Sequence, residues 1–313
     1  MASRTQTTLA TEAAVTGMGV HGGIECRLVL KPAPADTGLV FIRTFADQSP
    51  RKVSVSRQSV QATELATILG DRTGVLVSTV EHALAALTGL GVDNAVLEID
   101  GPEVPILDGS AAELVAAIDR AGIVNLKAKR KYIKILKSVR VDNGASHGTL
   151  APYDAGFRLD VEIDFDHAVI GRQRFAATLT PAVFRRELAS ARTFGFLKDV
   201  ERLRGAGYAR GASLDNTICI GDDGVLNSDG LRFADEFVRH KALDAVGDLS
   251  LAGLPLLGRY HSFRGGHKLN FQVVDALLSD RSAYAIVEAP ANQHRTGVEL
   301  SIGSPAMAFA PER

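Results

Sequence analysis

The chain has 313 residues, of which 46% are hydrophobic and 23% charged, and its formal net charge is -1 at neutral pH. This is ordinary globular composition, enough for one large or two medium domains with a sizeable core. The balanced charge excludes an overall electrostatic case for nucleic acid or an anionic membrane surface. Cys26 and Cys219 stand singly in strand-like runs, so two reduced thiols are expected rather than a structural disulfide. The N-terminus lacks an apolar signal core, and the apolar run 249–257 is short and broken by Gly253 and Pro255. A soluble, cytoplasmic chain without a transmembrane segment is the expectation.

Residues 1–60 read as strands and turns. Gly17-Met18-Gly19-Val20-His21-Gly22-Gly23 is a glycine-rich turn, after which Ile24, Cys26, Leu28 and Leu30 follow the alternation of a half-buried strand. A strand stands where a phosphate loop needs a helix, so nucleotide binding is not expected there. His21 reads as a hydrogen-bonded turn residue rather than a ligand. Pro32, Pro34 and Gly38 mark a turn before a strand over 39–43, and 74–77 is a short apolar strand. Ser78 followed by Glu81 has the capping-box spacing that opens a helix, which gives Glu81 a purely structural reading. A strand returns over 93–100. Ser110 and Glu113 repeat the capping pattern before an alanine-rich helix over 111–121, terminated by Gly122.

Lys127-Ala128-Lys129-Arg130-Lys131 is the sharpest change of composition and reads as a solvated linker rather than an anion patch. It divides the chain into a first domain, 1–126, and a second, 132–313. The second half repeats the order of the first, with strands at 133–136, 139–142, 158–164 and 173–178. A helix is expected from Pro181 to about Ala191, a strand at 217–221, helices at 234–251 and 271–278, and a strand at 284–288. From Gly303 onward the tail reads as loose. Strand groups followed by helices in both halves argue an α+β fold with two similarly built domains.

In the helix over 234–251, His240 and Asp244 are i, i+4 neighbours on one face, and Asp248 lies one turn further along. An imidazole and a carboxylate so presented are two ready ligands for a divalent metal, zinc foremost. His82 is the natural third, which leaves a coordination position open, as catalytic zinc sites require. The His-x-x-x-Asp spacing is common by chance and does not define a site alone. Glu81, beside His82, could take a proton from an attacking water. His267, between glycines and Leu269-Asn270, reads as a loop histidine suited to a mobile acid, with Asp248 as the partner that would keep it protonated. Thr193 could hydrogen-bond a developing oxyanion or simply cap a helix.

Together, Ser-Thr-Val-Glu81-His82, Ser-Ala-Arg-Thr193-Phe-Gly-Phe, Glu-Phe-Val-Arg-His240-Lys-x-Leu-Asp244-x-x-Gly-Asp248 and Gly-Gly-His267-x-Leu-Asn resemble the bacterial UDP-3-O-acyl-N-acetylglucosamine deacetylases of lipid A biosynthesis. The likeness runs from the glycine-rich turn through Asp93-Asn94 and Gly101-Pro-Glu-Val-Pro-Ile-Leu-Asp-Gly-Ser110 to about residue 278. It implies two β-α-α-β domains, helices sandwiched between two sheets, and an active site at the domain interface. It implies zinc on His82, His240 and Asp244, Glu81 as general base, and His267, oriented by Asp248, as the acid that stabilises the oxyanion. Thr193 would hold the carbonyl oxygen, and Lys241 would meet the polar or diphosphate end of the substrate. The insert at about 194–214 would be the hydrophobic passage for the acyl chain, with Phe194, Phe196, Leu203 and Tyr208 as its apolar side chains. Phe165 would contact uracil, and Asp199 would line the nucleotide side. The chain departs from the family pattern at Gly144-Ala-Ser146-His147, where some members carry a basic residue, and at Ala168, where proline is common. The implied activity is zinc-dependent hydrolysis of the N-acetyl group of an acylated UDP-amino-sugar by a monomer. A zinc amidohydrolase acting on another acylated sugar and an inactive metal-binding interaction protein are the competing readings.

Overall fold

Alternating apolar residues place Leu30, Leu97, Phe41 and Val53 in one cross-strand row, and all four are buried. The computed structural model describes residues 4–45 and 49–289; the expected loose tail falls outside them. The first half runs β1 (Thr5–Leu9), β2 (Ala13–Met18), β3 (Glu25–Pro32), β4 (Leu39–Thr44), β5 (Pro50–Ser54), β6 (Val60–Ala62), β7 (Ile68–Asp71) and β8 (Gly74–Val77). Then come α1 (Glu81–Leu90), β9 (Ala95–Ile99), α2 (Ala112–Ala121) and β10 (Ile123–Lys129). Its main sheet has the order β2-β3-β9-β4-β5, with β4 and β9 parallel.

The second half holds β11 (Lys131–Ile135), β12 (Val139–Asn143), β13 (Ser146–Ala151), β14 (Phe157–Asp164), β15 (Arg172–Thr178), α3 (Pro181–Val183), β16 (Phe194–Phe196), α4 (Val200–Gly205) and β17 (Ile218–Ile220). It closes with α5 (Glu236–Leu249), β18 (Leu256–Phe263), α6 (His267–Ser279) and β19 (Tyr284–Glu288). Its seven-stranded sheet runs β12-β13-β18-β11-β19, with β14 also on β18 and β15 on β14. The row Leu150–Tyr260–Leu159–Ala177 faces inward. Every residue of α1 except Thr88 is buried, and α5 is exposed only at Arg239 and Lys241 to any degree. A helix buried all round belongs between layers rather than on a surface. The apolar cluster accordingly passes from the first sheet through α1 and α5 to the second. No helix among the described residues is long and apolar enough to cross a membrane.

Several local expectations change. Neither capping box forms: α1 is preceded by Val80 and α2 by Ala111, without a side-chain cap. Ser78 bonds the Pro102 carbonyl instead, because the chain bridges to Glu103 before it turns into the helix. The helix expected from Pro181 to Ala191 is one turn of α3 followed by a π turn, Phe184–Leu188. Residues 127–131, read as a solvated linker, continue β10 and open β11, and Arg130 is buried against Asp93 at 2.8 Å.

On the outer face of the second sheet, the fully buried Asp160 carboxylate accepts from Arg174 at 2.7 and 2.8 Å and from Arg259. Arg174 foremost holds its pKa down to about 2 against a usual 3.8. A depressed carboxyl stabilises above 3.8 and loses that contribution as pH falls through about 2. Asp160→Asn is expected to cost about 1–2 kcal/mol at pH 7, discounted because both guanidiniums are partly exposed, with the difference vanishing near pH 2. Urea denaturation at the two pH values measures it.

Candidate metal centre

The site forms where the first turn of α1 meets the middle of α5. Beyond β8, Thr79 adopts a left-handed φ of 56°, uncommon for a β-branched residue. Its hydroxyl donates to Glu103 Oε1 at 2.8 Å. The buried Glu103 carboxylate also accepts the N–H groups of His21 and Gly22 at 2.9 and 2.7 Å. One carboxylate thus ties the glycine-rich turn to the start of α1. A Cβ at Gly247 would lie 2.1 Å from the Glu81 carbonyl oxygen, so glycine is what lets α5 approach this closely.

His82, His240 and Asp244, all buried, offer ligand atoms that lie within 4.8 Å of one another. Asp244 Oδ1 lies 3.3 Å from His240 Nε2 and 3.5 Å from His82 Nε2. The orientation of His240 is set from outside the cluster. Arg192 donates from its backbone N–H and its Nε to Glu236 Oε1, both at 3.0 Å, which fastens the segment before β16 to the first turn of α5. The Ala191 carbonyl then lies 3.0 Å from His240 Nδ1, and a proton held there leaves the Nε2 lone pair for a ligand. Burial pushes the His240 pKa down to about 3, against the pull of Asp244, so the ring is neutral and ready to coordinate. Burial would raise the Asp244 carboxyl, yet the Lys241 ammonium, with the His267 cation beyond it, holds it well below the usual range.

Asp244 Oδ1 is buried without a hydrogen bond of good geometry. Such an atom is costly among protein groups alone. A cation between the three ligands removes the cost, and two imidazoles with one carboxylate suit zinc, with a position left open. The residues fit a divalent metal.

A buried carboxylate, Glu81, and a buried imidazole, His267, flank the cluster. Glu81 is buried, and that burial, opposed by His267 and His82, raises its pKa above 4.5. His267 Nε2 stands 3.9 Å from Glu81 Oε1 and 4.0 Å from Asp244 Oδ2. Its Nδ1 lies 2.9 Å from Asp248 Oδ2. Burial would strip the proton from this ring, but Asp248 and then Glu81 push its pKa up to about 10, so it is a cation at neutral pH. His267 does not sit on a mobile loop: it is the first residue of α6 and is buried.

Tyr260 and Thr67 lie outside every motif, and Asn270 closes the Gly-Gly-His267-x-Leu-Asn motif without a role read for it there. Asn270 Nδ2 donates to Asp248 Oδ2 at 2.8 Å, and Tyr260 Oη donates to Asn270 Oδ1 at 2.5 Å, which fixes the orientation of that amide. Thr67 bonds both Asp248 and Glu81. The i, i+3 spacing from His267 to Asn270 on α6 is the only local hint of Asn270; no local signal points to Tyr260 or Thr67. His21, read as a turn residue, is outside the His–His–Asp cluster. Its ring meets Tyr208 edge-on at 5.5 Å, and burial, with His267 adding to it, lowers its pKa against Glu103.

Lys241 Nζ lies 3.0 Å from Asp244 Oδ2 and 5.6 Å from the centre of the Phe194 ring. Phe194 stands edge-on to Phe165 at 5.8 Å, and Phe165 is 6.1 Å from Phe196, so these three rings gather beside Lys241 and His240. Thr193 is held by its backbone, which donates to the Gly109 carbonyl and accepts from Ile218. In the insert, Asp199 pairs with Arg202 at 3.0 Å, and Leu203 accepts the Tyr208 N–H through its carbonyl. A cavity of about 610 Å³ lies elsewhere on the seam, lined by Leu39, Val92, Leu179, Leu249, Leu254 and Leu256 among others and by none of the metal-site residues. Volume alone does not choose the candidate site; the convergent ionisable groups do.

Comparison with known proteins agrees with this constellation. Residues 6–279 match the family model described as UDP-3-O-acyl N-acetylglycosamine deacetylase. Relatives from Brucella ovis, Brucella abortus and Brucella melitensis, each named UDP-3-O-acyl-N-acetylglucosamine deacetylase, are similar at 54% identity over 286 residues, 91% of this chain and 99% of theirs. With the match spanning both halves and every residue of the His–His–Asp cluster, the chain belongs to the UDP-3-O-acyl N-acetylglycosamine deacetylase family.

Proposed function

We propose that this protein hydrolyses the N-acetyl group of UDP-3-O-acyl-N-acetylglucosamine in a zinc-dependent reaction, releasing acetate at an early committed step of lipid A biosynthesis. The observation that carries the reading is the orphaned Asp244 Oδ1 between two imidazoles, with Glu81 and a protonated His267 beside it. Bound by His82, His240 and Asp244, zinc would polarise the amide carbonyl and acidify a water at neutral pH.

The rest is work for side chains. Glu81 Oε1 accepts a proton from the attacking water as its oxygen bonds to the acetyl carbon. The His267 cation and Thr193 stabilise the oxygen that becomes negative. His267 then gives its Nε2 proton to the amine nitrogen as the carbon–nitrogen bond breaks, and acetate and the free amine leave. Asp248 keeps the imidazole charged and oriented throughout. Lys241 serves the polar side of the substrate, Phe165 a base-stacking contact, and Asp199 the nucleotide side. Phe194, Phe196, Leu203 and Tyr208 form the apolar lining for the 3-O-acyl chain.

The test is acetate release by purified protein. Turnover on UDP-3-O-acyl-N-acetylglucosamine is expected to disappear on chelation and return on zinc add-back, with the des-acyl analogue much slower. Equal rates on the two substrates, or turnover indifferent to chelation, would overturn the assignment.

A further inference from the structure

Thr67 lies in the turn between β6 and β7 and is fully buried. Each of its polar groups is used. Its carbonyl accepts the Val80 N–H at 3.3 Å, its own N–H donates to Glu81 Oε2 at 3.0 Å, and its hydroxyl donates to Asp248 Oδ1 at 2.6 Å. Glu81 and Asp248 stand on different helices, α1 and α5, from the two halves of the chain. In each carboxylate the oxygen that Thr67 does not take is the one turned to His267: Glu81 Oε1 at 3.9 Å from Nε2, and Asp248 Oδ2 at 2.9 Å from Nδ1. One residue outside both helices therefore sets the rotation of the base and of the group that aims the acid.

The geometry points to Thr67 as a positioning residue that holds Glu81 and the Asp248–His267 pair in register with each other. This rests on the deacetylase reading above. The backbone N–H serves Glu81 whatever the side chain, so a change of side chain isolates the hydroxyl and its action through Asp248. Valine has nearly the same shape and no donor, and it leaves Asp248 Oδ1 buried with one partner fewer. The carboxylate is then held only through Oδ2, by Asn270 and His267, and the imidazole it aims drifts from the leaving nitrogen.

Thr67→Val is expected to lower kcat about 10- to 100-fold, as loss of an orienting partner does at comparable sites. KM is expected to stay within about twofold, since no substrate-binding group is touched. Bound zinc measured by atomic emission is expected to remain at the wild-type stoichiometry. Thr67→Ser, which keeps the donor, is expected to return most of the rate. In a His267→Ala background, Thr67→Val should add less than about twofold, because the hydroxyl acts through that ring. Proton NMR supplies a readout apart from turnover: the downfield Nδ1–H resonance of His267 moves in Thr67→Val and stays in Thr67→Ser.

An unchanged kcat in Thr67→Val overturns the assignment. So does an equal loss in the valine and serine variants, or a full additive loss on top of His267→Ala, either of which would mark Thr67 as packing alone. If the wild-type protein releases no acetate, the deacetylase reading falls by itself, and the NMR comparison still decides whether Thr67 orients the Asp248–His267 pair.

Discussion

Glu81→Gln is expected to keep its metal and lower kcat by at least about a hundredfold. Glutamine retains an oxygen to accept the Thr67 N–H, so the side chain stays in place, and it differs in being unable to take a proton. Glu81 touches none of the atoms through which His240 and Asp244 are held, since those depend on Ala191, Arg192 and the body of α5. Zinc content and acetate release measured on the same preparation decide the matter. Near-normal turnover with zinc bound would remove Glu81 from the mechanism. In the wild type, burial places the Glu81 pKa above 4.5, so activity is expected to rise with pH as this carboxyl loses its proton.

His267→Ala carries the second large effect: about two or more decades in kcat, together with loss of the alkaline limb of the pH–rate profile. In the proposed mechanism the working form of His267 is the cation. Its pKa is pushed up to about 10 by Asp248 and Glu81 against the effect of burial, so the wild-type rate should fall as pH rises toward that value. A divalent cation in the neighbouring site repels the imidazolium and brings this limb to lower pH. The sign for stability is the same. A histidine whose pKa is raised on folding contributes fully below its unfolded value of 6.5 and loses the contribution as pH passes about 10. Thermal denaturation of the metal-free protein should therefore show the wild type losing its advantage over His267→Ala as pH climbs from 6.5 toward 10. An alkaline limb that persists in the variant would assign it to another group.

Much of the site was legible because its signals are local. His240 and Asp244 share a helix face by the 3.6-residue period, and Glu81 adjoins His82, so residue types and spacings in α1 and α5 show which groups can coordinate and which can carry protons. The motif order adds the family. The overall α+β class follows from strand and helix patterning of the same short range. Where short-range reasoning misjudged, a distant partner intervened. Ser78 has the spacing of a helix cap but is claimed by Pro102, 24 residues on; Ser110 is the exception, since its hydroxyl turns to the neighbouring Asp108 and accepts only the Ala112 N–H. His267 looks like a loop residue among glycines, yet α6 begins at that residue because Asp248 and the turn after β18 receive it. The basic run 127–131 looks solvated, and Asp93 draws Arg130 inward.

Residue order alone thus determines the chemical inventory that the proposed function draws on: three candidate ligands, two of them on one helix, with a candidate base and a candidate acid. Tertiary structure decides which oxygen of each carboxylate faces the reaction, which nitrogen of each imidazole bears a proton, and which uncharged residues hold them so. Those choices are made by Thr67, 181 positions before Asp248, by Ala191, 49 before His240, and by Asn270, 22 after Asp248. Hydrogen bonds reach about 3 Å, and no pattern along the chain brings such distant groups to that range. The packing of α5 on α1 across Gly247 does so, with the two sheets that enclose them.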